Sequence, residues 1–122
     1  MTIKVLAIDD SRTIREMLRM TLSQGGCEVS VAEDGVDGLN KLPSVDPDAV
    51  ITDINMPRMD GFGVIEAIRA IENYARLPVL VLTTENATDL KMRARKLGAT
   101  GWIVKPFDDS KLLTIIRRVT AV

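Results

Sequence analysis

The chain has 122 residues, 46% of them apolar and 27% charged, and a net charge of −1, the size and balance of one folded domain. It holds no histidine and a single cysteine, which excludes Ser/His/Asp and Cys/His nucleophilic schemes, an internal disulfide and most zinc sites. Nothing approaches the ~20 apolar residues of a membrane span, and Met1-Thr2-Ile3-Lys4 runs into a strand-like segment without a signal sequence. The expectation is one cytoplasmic domain over residues 1–122.

In chain order, Ile3–Ile8 is almost continuously apolar, as in a parallel strand covered on both faces. Residues 12–24 set Ile14, Leu18 and Leu22 four apart, with Arg12, Arg15 and Arg19 on other faces, and predict an amphipathic helix ended by Gly25-Gly26. Residues 27–31 alternate apolar and polar, which suits a half-exposed strand at a sheet edge. A short helix is expected after Asp34-Gly35, stopping near Pro43. Ala49–Thr52 forms the third strand. The loop Asp53–Asp60 contains Pro57, and Gly61 opens a helix with Val64, Ile68 and Ile71 on one side.

Pro78–Thr83 predicts a central strand. A helix at 87–97 places Leu90, Ala94 and Leu97 on one face, and Gly98 closes it. Trp102–Val104 is the fifth strand, and residues 109–120 form the last helix, burying Leu112, Ile116 and Val119. Five strands alternate with five helices, which gives an α/β fold: a doubly wound parallel sheet with helices on both faces, joined by right-handed crossovers. Ligands in such folds sit beyond the carboxyl ends of the strands.

Those ends carry the polar residues. The first strand runs into Asp9-Asp10, the third into Asp53, the fourth ends in Thr83 and the fifth runs into Lys105. One such residue is ordinarily a helix cap or a satisfied loop group. Several on one rim imply a site. Three neighbouring carboxylates repel one another unless a cation intervenes. All-oxygen ligands in small number favour Mg²⁺ over Ca²⁺, because Mg²⁺ keeps waters and shares its shell with phosphate oxygens. A carboxylate nucleophile, a hydroxyl and a lysine beside Mg²⁺ suit phosphoryl transfer.

Asp9-Asp10, Asp53-x-Asn55-Met56-Pro57-x-Met59-Asp60-Gly61, Thr83 and Lys105-Pro106-Phe107 together resemble the receiver domains of two-component response regulators, across the whole chain. Residues 32–42 and the Asn-Met-Pro-x-Met-Asp-Gly run resemble the chemotaxis members most. The resemblance implies the flavodoxin-like strand order 2-1-3-4-5, with Asp53 as phosphoacceptor. Mg²⁺ is then held by Asp10, Asp53 and the Asn55 backbone carbonyl, and Asp9 holds a metal-bound water. Lys105 pairs with the carboxylate and then the phosphoryl oxygens, Thr83 swings in to the phosphoryl group, and Lys105-Pro106 is cis. Asn55 and Glu85 bracket the hydrolytic water, unless they are merely exposed loop residues. Trp102 stands where the family has Tyr or Phe. It is either a bulky edge residue or a rotamer switch coupled to Thr83.

Charge is unevenly spread. Residues 1–85 carry 8 Lys/Arg against 14 Asp/Glu, and residues 86–122 carry 8 against 3. The basic last third is either a solvated face or a docking face for an acidic partner. Sparse aromatics and the lack of a basic reading helix argue against nucleic acid.

The resemblance implies a monomer phosphorylated by a chemotaxis-type histidine kinase and read at its fourth helix, fifth strand and fifth helix by the flagellar motor switch. A phosphatase is a further partner. A phosphorelay intermediate or phosphate sink is the alternative, and the chain is expected to signal rather than act as an enzyme on other substrates. A haloacid-dehalogenase-type phosphatase would need Asp-x-Asp-x-Thr where this chain has Asp53-Ile54-Asn55-Met56-Pro57. A flavin module would need a phosphate loop where this chain has Asp9-Asp10. A degenerate receiver is opposed by the intact Asp10, Asp53, Thr83 and Lys105.

Overall fold

The computed structural model describes residues 2–121, with β1 Lys4–Ile8, α1 Arg12–Gln24, β2 Glu28–Ala32, α2 Gly35–Val45 and β3 Ala49–Thr52 in its first half. The second half contains α3 Gly61–Ala70, a 3-10 turn at Glu72–Tyr74, β4 Val79–Thr83, α4 Thr88–Leu97, β5 Gly101–Val104 and α5 Asp109–Thr120. The strands form one parallel sheet in the order β2-β1-β3-β4-β5. The order, the parallel pairing and the alternation with helices agree with the sequence reading.

The continuous apolar runs are explained by two cores. Along β1, Leu6 and Ile8 face the side packed by Val64, Ile65 and Ile68 of α3 and Leu42 of α2. Val5 and Ala7 face Leu18 and Leu22 of α1 and Leu112 and Ile116 of α5. Successive side chains of a strand point to opposite faces, so a strand with helices on both sides needs apolar residues throughout. β2 is an edge strand and only half-buried along most of its length, which accounts for its alternation.

Three expectations need correction, and one element is new. α2 does not stop near Pro43 but runs to Val45. Pro43 has no N–H to give the Leu39 carbonyl one turn earlier, yet the next turn still closes, with the Asp46 N–H on the Leu42 carbonyl at 2.9 Å. Ile71 does not lie on the buried side of α3; it follows the helix in extended conformation and is 40% exposed. Val119 is only half-buried, in the last turn of α5. The 3-10 turn at Glu72–Tyr74 is an addition, set by the Tyr74 N–H bond to the Ile71 carbonyl at 2.9 Å. Other boundaries shift by a residue, as helix and strand ends commonly do.

Among the described residues no helix is long and apolar enough to cross a membrane. The helix starts are capped by side chains from the sequence itself: Ser11, Asp34, Asp60 and Asp108 each accept a backbone N–H of the first turn of α1, α2, α3 and α5. These caps fix where the loops over the carboxyl rim leave and rejoin the scaffold.

Candidate functional site

Parallel strands end on one side, so their C-terminal residues meet there. Asp9 follows β1, Asp53 follows β3 and Lys105 follows β5. The Lys105 ammonium donates to Asp9 Oδ2 at 2.7 Å and to Asp53 Oδ2 at 2.9 Å. These residues are 96 and 52 positions apart in the chain, and the sheet order alone brings them together. The Lys105-Pro106 peptide is cis.

The carboxylates are firmly seated. Ser11 N–H donates to Asp9 Oδ1 at 2.9 Å, and the Arg15 guanidinium reaches the Asp9 carbonyl at 2.7 Å. Ile54 N–H donates to Asp53 Oδ1 at 2.6 Å, while the Thr52 hydroxyl donates to the Asp53 carbonyl at 2.9 Å. Oxygens from Asp9, Asp10 and Asp53 all lie within 4.8 Å of one another, Asp9 and Asp53 buried and Asp10 exposed. Carboxylate oxygens each keep spare lone-pair directions after these bonds. Three carboxylates answered by one ammonium leave excess negative charge, and an all-oxygen donor set of this kind fits a hard divalent cation.

Electrostatics agree with that fit. Burial pushes the Asp9 carboxyl above its ordinary value, outweighing the bonds from Lys105 and Ser11. The ionised form of Asp9 therefore costs stability near neutrality, a cost that a cation would relieve. For Lys105, burial alone would depress the ammonium, but the bonds to Asp9 and Asp53 prevail and raise it. It is a fixed positive charge at physiological pH.

The remaining expected residues meet at Glu85. Thr83, fully buried at the end of β4, accepts the Glu85 N–H on its hydroxyl at 3.3 Å. The Asn55 amide donates to the Glu85 carboxylate at 3.2 Å. The half-buried Trp102 donates its indole N–H to the Glu85 carbonyl at 3.0 Å. Thr83, Asn55 and Trp102 are thus joined through one residue of the loop between β4 and α4. In this structure Thr83 is engaged by Glu85, and no bond joins its hydroxyl to Asp53 among the described residues. Trp102 also borders a groove of about 320 Å³ between α4 and β5, lined by Lys91, Arg95 and Ala99 among others.

Sequence reasoning missed two side chains here. Arg15, assigned only to a polar helix face, anchors the Asp9 backbone. Arg58, in the loop after Asp53, forms a bidentate pair with Asp34 at 2.7 and 2.9 Å. The lone basic residue within an acidic segment was the available signal.

The hydrogen bonds from Arg58 and Asp37 hold the Asp34 carboxyl below its ordinary range. A depressed carboxyl contributes stability above its unfolded pKa, which is lost as pH falls through the folded value. We expect the urea midpoint without divalent cations to decline below pH ~4, and Asp34→Asn to make that decline shallower. An unchanged acid limb in the variant would contradict the assignment.

A buried aspartate, an acidic cluster and a lysine on the carboxyl rim of a five-stranded parallel sheet define a receiver-type site, and the chain matches the response regulator receiver domain family over residues 5–117. It belongs to that family. Its fold is that of the chemotaxis protein CheY4 of Vibrio cholerae, with a TM-score of 0.93, 44% identity and 98% and 99% of the two chains covered. A response regulator of Chloroflexus aurantiacus superimposes with a TM-score of 0.94 at 30% identity, covering 100% of both chains. The response regulator MprA of Mycobacterium tuberculosis is 38% identical over 117 residues, 96% of this chain. The chain spans about half the length of such curated relatives, 50% in this instance.

Proposed function

We propose that the chain is a response regulator receiver domain that accepts a phosphoryl group on Asp53 from a phosphohistidine kinase in a Mg²⁺-dependent reaction. The observation that carries this is the Lys105 ammonium bridging Asp9 and Asp53 beside Asp10. Asp10, Asp53 and the Asn55 carbonyl would hold Mg²⁺, and Asp9 a metal-bound water. Mg²⁺ supplies charge neutralisation and orientation of the phosphoryl oxygens.

An Asp53 carboxylate oxygen attacks phosphorus. The P–N bond to the donor imidazole breaks with its electron pair returning to nitrogen, leaving an acyl phosphate. Lys105 stays charged and moves its bond from the carboxylate to the transferred oxygens. Asn55 and Glu85, hydrogen-bonded to each other at 3.2 Å, would orient the water that later hydrolyses the acyl phosphate. The chain catalyses nothing beyond its own phosphorylation and dephosphorylation.

Output follows from the Glu85 junction. A Thr83 hydroxyl drawn to the phosphoryl group gives up the Glu85 N–H, and the loop that also holds Trp102 re-forms. That shift biases a two-state equilibrium at the α4-β5-α5 face, and a partner that prefers the shifted state must in turn favour phosphorylation. The 44% identity to a chemotaxis protein supports the flagellar motor switch as the target. The basic balance of residues 86–122 suits an acidic segment there.

Phosphorylation should change Trp102 fluorescence, because its indole bond to Glu85 is remade, whereas Mg²⁺ alone should leave it nearly unchanged. Equal quenching by Mg²⁺ would contradict the switch assignment. The reaction itself is tested with phosphoramidate as donor. A hydroxylamine-sensitive phosphoryl group should appear with Mg²⁺ and be absent with a chelator, and the phosphorylated chain should bind a motor-switch peptide more tightly. Phosphorylation without that tighter binding would favour the relay or phosphate-sink reading.

A further inference from the structure

The loop from Ile54 to Asp60 leaves the acceptor aspartate and returns at Gly61, closed by the Gly61 N–H on the Ile54 carbonyl at 2.9 Å and the Met59 N–H on the Pro57 carbonyl at 2.7 Å. It bears Asn55, whose amide faces Glu85 on one flank. On the other flank the loop is tied to the start of α2 in two ways. Gly35 lies so near Met59 that a Cβ there would stand 2.7 Å from the Met59 carbonyl oxygen. Arg58, at a left-handed φ of 66°, sends Nε to Asp34 Oδ2 at 2.7 Å and a terminal nitrogen to Asp34 Oδ1 at 2.9 Å.

Asp34 is itself immobilised. It is 4% exposed and caps α2 by accepting the Asp37 N–H at 2.9 Å. Most ion pairs with one exposed member contribute little, because two long side chains must be ordered in water. This pair departs from that rule on both counts: its carboxylate is buried and pre-fixed by a helix, and the guanidinium fork engages both oxygens.

We propose that Arg58 and Asp34 form a positioning pair for the acceptor site, holding the 54–60 loop against α2 and so setting where the Asn55 carbonyl and amide stand. The inference rests on the reading of Asp53, Asp10 and Asn55 as a Mg²⁺-dependent acceptor site. Arg58 touches neither cation nor phosphoryl group and acts through the loop.

The test is Mg²⁺ titration by calorimetry, with phosphorylation rates from phosphoramidate, on the full chain and variants. Arg58→Gln should bind Mg²⁺ about tenfold more weakly, the low end of the loss expected when support of a ligand is removed, and should be phosphorylated more slowly. Arg58→Lys, which keeps the charge and loses the fork, should fall between. Asp34→Asn keeps a good helix cap and should match Arg58→Gln, with the double variant no worse than either.

Tyr74→Phe serves as control. It loses the 3.1 Å bond to Asp46 at the opposite rim and should leave Mg²⁺ affinity unchanged. Wild-type affinity and rate in Arg58→Gln would overturn the positioning role alone. A wild-type chain that neither binds Mg²⁺ nor takes the phosphoryl group would overturn the reading of the site, and this inference with it.

Discussion

Lys105→Ala should slow phosphoryl transfer to Asp53 by at least about 10²-fold, the usual cost of removing one preorganised donor from a charge-stabilising site. Its ammonium lies 2.9 Å from Asp53 and 2.7 Å from Asp9, placed to follow charge onto the transferring oxygens. Mg²⁺ affinity should change in the opposite direction. With the ammonium gone, three carboxylates share no fixed positive charge, so each cation neutralises more repulsion and binds more tightly. The apo variant should melt lower and recover more on adding Mg²⁺. Calorimetry and single-turnover labelling separate the two roles: a variant with weaker Mg²⁺ binding and unchanged transfer would contradict the assignment.

Gly61→Ala should be the most damaging single-methyl change near the site. A Cβ at Gly61 would collide with the Asp53 carbonyl oxygen and stand 2.9 Å from Ile54 Cα and 3.0 Å from the Asp53 carbonyl carbon. All three are backbone atoms of the segment that carries the acceptor, so no rotamer change relieves the clash. Overpacking of this kind costs about 2–3 kcal/mol, and here the strain also displaces Asp53. Urea denaturation should show the lower midpoint, and phosphorylation should fall with it. Gly63→Ala is the useful contrast, because its Cβ would meet Met59 Cγ at 2.9 Å, an atom of a flexible side chain and not of the backbone. Equal stability of Gly61→Ala and wild type would show that the loop has more freedom than its packing indicates.

The sheet was legible because its causes are local and repetitive. Apolar runs of β1, β3 and β4 mark strands covered on two sides, and the alternation in residues 28–31 marks an edge. The rim residues were legible because each directly follows such a run. The strand order was not; it came from family resemblance, since periodicity does not specify which strands neighbour one another. The pairing of Arg58 with Asp34 spans 24 positions, and the bond from Trp102 to the Glu85 carbonyl spans 17. Both depend on where loops pass each other above the sheet, which patterning does not encode. Pro43 misled because a proline does not by itself fix where a helix ends: α2 continues two residues beyond it.

The basic last third illustrates the same limit. Its charge excess was visible at once, but the groove beside Trp102 requires α4 and β5 to be placed together. Trp102, which lines that groove, bonds to the Glu85 carbonyl, and Glu85 also contacts Asn55 and Thr83.

The most direct test of the account is to locate the phosphoryl group. Borohydride reduces an aspartyl phosphate to homoserine, which peptide mass mapping assigns to one position. After treatment with phosphoramidate and Mg²⁺, homoserine should appear at residue 53 alone, and no modification should survive in Asp53→Asn. Homoserine at Asp9 or Asp10, or label retained in Asp53→Asn, would contradict it.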